Sequence, residues 1–598
     1  MVQQPAVVAK LRRLVQSSMA KHSYESAVFF ADKLVTLTNE EPEEIFRLAQ
    51  AFYLSQQYRR ALWLLRNTDM VKMDLRFRYI AARCLAEVGD WEECLGTLGG
   101  WEEDTSAAVA DLMQGSQAER MARGQLLTDT ASLPSEEASY KAALCLLRGR
   151  VYAAMENQTR ACLWYQAALQ LDPFCYEAFQ VLIEKSMLTG QEERDLLNKL
   201  PFGPDDEWIQ LLYRAKCKKY EQASTFKQTL GALQQQIPAD PAPVSTPDSS
   251  PARPSTSANK HITKLPDLRP DADAEMGSVE AEDGGVASGS GCGLAGNLDV
   301  LTCRAEWLYH CGAHQECYQL TTDILDRDNY AVECLPTHLA AALELRKKND
   351  LFLQAHRLVQ EYPNRALSWY AVGVYYLATH QYEQARRYFG KATALDANCA
   401  VAWIGFGHAF ALQDESDQAM AAYRTAARLF RGLHMPLVGM GMEYMRMNNL
   451  PLAQQLFDQA RAVCIADPLV ANELGVLAFR NRQLDAAIHH FTTALELLPP
   501  KASAASEATL VNLGHVFRRQ RRWPEAIAAF RKALGLAPGH ASTYAALAFA
   551  HHLQGDLQVA IENYHKALGM RPDDSFAAEM LTCAMDDEVT RDEAGAAY

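Results

Sequence analysis

From Ser368 to Asp396 the chain reads SWYAVGVYYLATHQYEQARRYFGKATALD, and from Val401 to Phe430 it reads VAWIGFGHAFALQDESDQAMAAYRTAARLF. Laid over one another at a step of 34 residues, the stretches match small residue to small residue, with Gly373 on Gly407, Ala385 on Ala419 and Ala392 on Ala426, and ring to ring, with Phe389 on Tyr423. The step continues towards the C-terminus. Small residues recur at Gly441, Gly475, Gly514 and Ala548, and alanines at Ala453, Ala487, Ala526 and Ala560 and again at Ala460, Ala494, Ala533 and Ala567. Rings recur at Phe457, Phe491, Phe530 and Tyr564, and one step is lengthened by five residues. Two antiparallel helices in close contact need a small residue where their backbones approach and a large one that fills the gap to the next pair, so each column has a steric role. Trp369 and Trp403 precede the small residue in their helices, and Pro499, Pro538 and Pro572 close later units, since proline cannot continue a helix.

Six such units predict an all-α fold, a superhelical solenoid of tetratricopeptide repeats, over residues 364–580. Upstream the pattern thins but persists. Ala27 and Ala61 stand 34 apart, and Gly149, Tyr152, Ala161, Tyr165, Ala168 and Pro173 reproduce one whole unit, so residues 1–222 read as degenerate repeats. Residues around 179–222 and over 297–363 are helical by apolar spacing, as in WIQLLY at Trp208–Tyr213, yet match the template poorly; they are expected to carry the superhelix across its middle. Between the halves, 223–296 is a linker whose main part, 237–296, is rich in Pro, Ser, Gly and Asp. With almost no large apolar residues it cannot offset its ordering entropy and is expected to be a disordered insertion. It carries Thr246-Pro247 and Ser250-Pro251-Ala252-Arg253, which make Thr246 and Ser250 candidate phosphorylation sites. Residues 581–598 are set apart as a C-terminal tail.

Composition narrows the function. Fifty-eight basic against 73 acidic residues give a formal charge of −15, which repels a phosphate backbone, so no nucleic-acid partner is expected. Fourteen cysteines without a CxxC pair read as reduced thiols of an intracellular protein. The first twenty residues hold no continuous apolar core of a secretory signal, and no run reaches the length of a membrane span, so no membrane association is expected and the chain is assigned to the nucleus and cytoplasm. Cys303, His310, Cys311, His314 and Cys317 crowd five potential zinc ligands into fifteen residues. Structural zinc sites present paired ligands flanking a turn, whereas this run reads as one continuous helix, so packing and no metal is expected. Gly405-Phe406-Gly407 and Gly439-Met440-Gly441 fall on the close-packing column and follow no strand, so they are not nucleotide loops. No GxxxxGK[ST], HExxH or GxSxG motif occurs and no stretch has an α/β pattern, which argues against an enzyme and against any cofactor. An enzyme with a repeat superhelix attached, such as a glycosyltransferase, would need several hundred further residues of that kind.

Binding is what remains. First-helix positions that turn away from the inter-repeat packing recur once per unit and define a concave groove: Tyr370, His408, Met442, Asn472, Phe479, His515, Arg518, Phe549 and His552, with Asn512 one position from this face. Aromatic, thioether, amide and imidazole groups together suit a peptide with an apolar anchor and a backbone to be satisfied. The position after the small residue runs Val374, His408, Met442, Val476, His515 and Phe549, which is not the Lys/Asn/Arg clamp of a carboxylate-binding co-chaperone. A generic repeat adaptor or co-chaperone is the alternative reading. Arg518, Arg519, Arg521 and Arg522 form a short basic patch, either a solvated helix end or a dock for an acidic peptide.

The stretches LSQQYRRAL, YIAARC, CLLRG, LDPFCYEAF, SWYAVGVYYL, AWIGFGHAFA, SDQAMAAY and NLGHVFRR, together with Asp172-Pro173-Phe174 and His515, resemble the subunit 6 family of the anaphase-promoting complex. The resemblance spans nearly the whole chain. It implies a non-catalytic scaffold of a multi-subunit ubiquitin ligase acting at mitosis. It further implies a homodimer formed by the N-terminal repeats around Ala27 and Ala61, a very small subunit held in the C-terminal groove, and other repeat subunits of the complex on the outer faces. It places the chain in nucleus and cytoplasm, with possible spindle and centrosome association. Two departures are visible: the 237–296 insertion is longer than the family leads one to expect, and the chain stops at Tyr598 without a long polar tail, so regulation placed in such a tail is not carried over.

Overall fold

The computed structural model describes residues 4–99 (except 69 and 73), 136–217 (except 204 and 205), 296–498 and 504–596, with a few positions near 230. Thr246, Ser250 and the insertion that carries them lie outside the described residues. Every regular element among the described residues is a helix. From residue 366 onward they come in pairs: Ala366–Ala378 with Tyr382–Leu395, Ala400–Ala411 with Ser416–Leu429, Met435–Arg446 with Leu450–Val463, Pro468–Arg480 with Leu484–Leu497, Ala504–Arg519 with Trp523–Leu536, and Ala541–Gln554 with Leu557–Met570.

The small and aromatic columns meet sixteen residues apart. A Cβ added to Gly373 would stand 2.5 Å from the Phe389 ring, one at Gly407 2.3 Å from Tyr423, and one at Gly514 2.6 Å from Phe530. At these positions glycine lets the backbone of the first helix lie on the ring of the second, while in the last pair Ala548 takes that place opposite Tyr564, both fully buried. Gly149 on Tyr165, in the pair Glu136–Ala154 and Gln158–Leu171, repeats the arrangement at 2.6 Å.

Residues 297–363 are two further pairs, Leu298–His310 with His314–Arg327 and Leu335–Glu344 with Lys348–Glu361. Their poor match to the template has a physical cause. The first pair holds Ala305 with Thr321 in place of a ring, while in the second pair the large and small partners are exchanged at the same sixteen-residue pairing: Leu339 stands where glycine would be and Ala355 where the ring would be, both buried in one core cluster. The N-terminal pairs do the same with Val15 and Ala31, or use Ala49 with Leu65, all in one continuous core. Combined volume is kept while identity is not. The run Cys303–Cys317 is not one helix, as its spacing suggested, but two, broken at Cys311–Ala313 with Gly312 at φ 74°. His310 carries the first helix into the turn and His314 opens the second; among the described residues no group of three or more His, Cys, Asp or Glu is placed to hold a metal.

Each first helix of the C-terminal repeats ends in a left-handed residue: His380, Asp414, Asn448, Arg482, Arg521 and Gly555. At the first of these the His380 N–H donates to Leu377 C=O (3.1 Å) and the Gln381 N–H to Tyr376 C=O (2.9 Å), closing the helix so that the next can turn back. The Trp369 and Trp403 indoles donate to the carbonyls of Pro363 (2.8 Å) and Ala397 (2.9 Å), tying each first helix to the turn before it.

Successive first helices touch one another, whereas successive second helices scarcely do. First helices therefore crowd the inner side of a coil and second helices splay on the outer side. The coil returns on itself where the Gly432 N–H donates to Ser186 C=O at 2.9 Å. Across the middle, helix Glu207–Lys216 stacks Tyr213 on Phe179 (4.1 Å between centroids) and sends Lys216 towards Asp299 (3.8 Å) and Glu333 (3.7 Å), which splices the two halves. The residues set apart as a tail from 581 instead continue helix Ser575–Ala596, because Ala577 and Ala584 pack under Ala560 and Tyr564 and cap the last pair. All thirteen cysteines within the described residues are free thiols. No described helix is long and apolar enough to cross a membrane.

Candidate peptide groove

The ten groove residues fall on the inner first helices, but they do not all present themselves alike. Tyr370 sits deeper than its spacing suggested, its ring against Phe389 within a core cluster, and burial pushes its phenol well above its ordinary range. Met442 is exposed. His408 is committed within its own repeat, with Nδ1 2.7 Å from the Tyr423 hydroxyl, and burial lowers its pKa.

Further along, the groove residues of neighbouring repeats are brought together. Asn472 Oδ1 accepts from Asn512 Nδ2 (3.2 Å) and from Thr509 Oγ1 (3.3 Å), and its own amide donates to Glu473 (3.0 Å). Burial raises the Glu473 carboxyl above its usual range. Arg518 lies over the Phe549 ring at 4.9 Å, and Arg519 over Phe479 at 5.0 Å. His515 meets Phe530 edge on, and burial followed by the charge of Arg518 brings its imidazole down to about 4, so it is neutral at physiological pH. His552 Nε2 is 2.9 Å from Asp587 on the capping helix.

Spacing within single repeats could not show an arginine rung that crosses between them. Arg446 Nη1 donates to Ala411 C=O and Arg480 Nη1 to Met445 C=O, both at 2.7 Å, so each arginine satisfies an orphan carbonyl at the end of the preceding first helix. Arg446 and Arg480 are one step of 34 apart, and Arg519 follows after the lengthened step. Arg519 is therefore a third member of that row rather than part of an isolated patch, and Arg522 turns away to pair with Glu525. The signal was present in the sequence as a column of arginines.

A second surface separates the two ends of the chain. Two residues beyond the alanine column of the second helix, the early repeats expose Phe29 (59%), Trp63 (67%) and Leu353 (63%). The C-terminal repeats carry Arg387, Ala421, Gln455, His489, Ala528 and Glu562 at that position. Large exposed apolar groups repeated in register mark a contact surface better than scattered ones do.

Comparison with known proteins agrees with this architecture. Tetratricopeptide-repeat models match residues 142–175, 366–399, 438–507 and 505–573, and the model of anaphase-promoting complex, cyclosome, subunit 3 matches residues 20–100. The chain is 41% identical over 582 residues to anaphase-promoting complex subunit 6 of Arabidopsis thaliana, covering 97% of both chains. It is 35% identical to the cell division cycle protein 16 homolog of Homo sapiens, covering 96% of this chain and 83% of that one. It is 31% identical to the cut9 subunit of Schizosaccharomyces pombe, covering 96% and 76%. A crystal structure of the Cut9–Hcn1 hetero-tetramer of the complex superposes with a TM-score of 0.71 at 30% identity, over 96% of each chain. The chain belongs to the subunit 6 family of the anaphase-promoting complex, tetratricopeptide-repeat scaffolds whose role is structural and not catalytic.

Proposed function

We propose that this chain works in the cell cycle as a homodimeric scaffold, paired through its N-terminal repeats and holding the N-terminal segment of a very small subunit in its C-terminal groove. The observation that carries the reading is the full-length likeness to a relative crystallised as a hetero-tetramer with Hcn1. The groove supports it chemically: an exposed thioether at Met442, an amide pair at Asn472 and Asn512, and aromatic rings at Phe479 and Phe549 suit an extended or helical peptide. Phe29 and Trp63 support the dimer, since burying two such side chains and their copies is the kind of core a homodimer interface uses. Further repeat subunits would pack on the outer faces, and the chain would act in nucleus and cytoplasm. Phosphorylation of Thr246 and Ser250 in the insertion belongs to the same proposal.

The test is co-expression of the full chain with the Hcn1-type small subunit of the same organism. The reading predicts a complex that survives gel filtration and is lost when that subunit's N-terminal segment is removed. A complex indifferent to that removal, or none at all, sinks the groove assignment and favours a generic adaptor.

A further inference from the structure

Among the described residues, three buried polar atoms in the last two repeats have no hydrogen-bond partner, and two of them belong to residues whose counterparts in an earlier repeat satisfy each other. In the repeat that starts at Ala400, the position after the small residue is His408 and the ring column holds Tyr423, so imidazole and phenol satisfy each other. In the next-to-last repeat the imidazole is kept as His515 but the ring is Phe530, and the buried His515 Nδ1 has no hydrogen-bond partner. In the last repeat the phenol is kept as Tyr564 but the position opposite is Phe549; Tyr564 is fully buried and its hydroxyl is likewise unpartnered. His552, edge on to Tyr564, donates through Nε2 to Asp587 and leaves a buried Nδ1 without a partner.

Arg518 sits among them. Its charge acts on both His515 and Tyr564, yet among the described residues no carboxylate pairs with it, and its guanidinium rests on the Phe549 ring. Two arginines of the neighbouring row do have oxygens: Arg446 has Ala411 and Asp414, and Arg480 has Met445. A half-buried guanidinium without an anion, beside a buried phenol without an acceptor, is costly unless something supplies oxygen to both. The Tyr564 and His552 rings meet edge on with centroids 6.5 Å apart, and the charge of Arg518 reaches the phenol.

We propose that Arg518 and Tyr564 are the donors of a carboxylate subsite that reads one acidic side chain of the peptide lying in the groove. This rests on the groove reading above and adds the class of residue the peptide must carry. Arg518 swings from the Phe549 ring to pair with the carboxylate, Tyr564 donates its hydroxyl to the second oxygen, and His552 Nδ1 accepts from a peptide N–H. His515, neutral, lines the wall without competing for the anion.

The probe is the N-terminal segment of the Hcn1-type small subunit as a synthetic peptide, with a set in which each Asp or Glu is replaced singly by Asn or Gln. Affinities are measured by calorimetry for the full wild-type chain, Arg518→Gln and Tyr564→Phe. One amide peptide should bind wild type about 10- to 100-fold more weakly than the parent, the usual effect of losing a charge-assisted bond. Arg518→Gln should bind the parent as weakly as wild type binds that peptide, and should not distinguish the two. Tyr564→Phe should weaken the parent about threefold to tenfold while melting like wild type, because the hydroxyl has no bond to lose in the free chain. The subsite is overturned if every amide peptide binds wild type as the parent does, or if Arg518→Gln weakens all peptides by one common factor. A parent peptide that does not bind wild type overturns the groove reading and this subsite with it, which separates the two failures.

Discussion

The repeats from Ala366 to Met570 and the pair Leu335–Glu344 with Lys348–Glu361 build the same object from opposite parts. In five of the former a glycine backbone lies on a buried ring, with Ala548 in that place in the last; in the latter Leu339 and Ala355 exchange sizes, while in the pair before it Ala305 keeps the small position and Thr321, at the ring position, is bonded to His338 Nδ1 at 2.9 Å. Where Leu339 faces Ala355 the summed volume sixteen residues apart is kept although the residue types are exchanged. A solenoid tolerates such exchange because each pair packs only on its neighbours, so a swap is corrected locally.

The comparison breaks most visibly at the ring. Phe389→Ala should cost about 3–5 kcal/mol as a cavity is left beside Gly373. Adding Gly373→Leu, which imports the Leu339–Ala355 arrangement, should recover more than about 1 kcal/mol in a double-mutant cycle read by urea melts. Additive losses would show that the two arrangements are not interchangeable.

Acid should distinguish the regions next. Burial brings His338 down to about 4, against an opposing pull from Asp350 and with a further push from Lys347. Its neutral form is the folded form, so the contribution is whole above the ordinary histidine pKa of about 6.5 and is lost as pH falls from there towards 4, by at most roughly 3 kcal/mol. His338→Gln should flatten the fall in melting temperature over that window. An unchanged slope would assign it to other groups.

Two phenols in the same column should then behave differently. Tyr423→Phe strands the His408 imidazole and should cost about 1–2 kcal/mol, while Tyr564→Phe should be near neutral in the free chain. Equal losses in thermal melts would contradict the partner assignment. The smallest effect belongs to the turns: Arg482, at φ 61°, occupies a position glycine holds at Gly555, so Arg482→Gly should stabilise by about 0.5–1 kcal/mol. A destabilised variant would mean the side chain contributes more than its backbone costs.

How much of this was legible follows from the same rule. The glycine and ring columns of the C-terminal half are written in residue types, so repeat, register and inner face could be read directly. Leu339 with Ala355 and Val15 with Ala31 keep volume but not type, and a template of types passes over them. The capping helix beyond residue 580 was missed because its inward face is only Ala577 and Ala584. Within the groove, residue identities were legible but pairing was not. That His408 is satisfied and His515 is not depends on whether the facing ring carries a hydroxyl, which becomes visible only once the sixteen-residue contact is known.

The central claim is a scaffold whose apolar N-terminal surface joins two copies, and the most direct measurement is the light-scattering mass of the full chain beside a Phe29→Glu, Trp63→Glu variant. Both side chains are exposed, so the variant should keep its fold, checked by helical circular dichroism. The account predicts twice the 66.6 kDa of one chain for wild type and a single chain for the variant. A wild-type monomer, or a folded variant that remains a dimer, would contradict it.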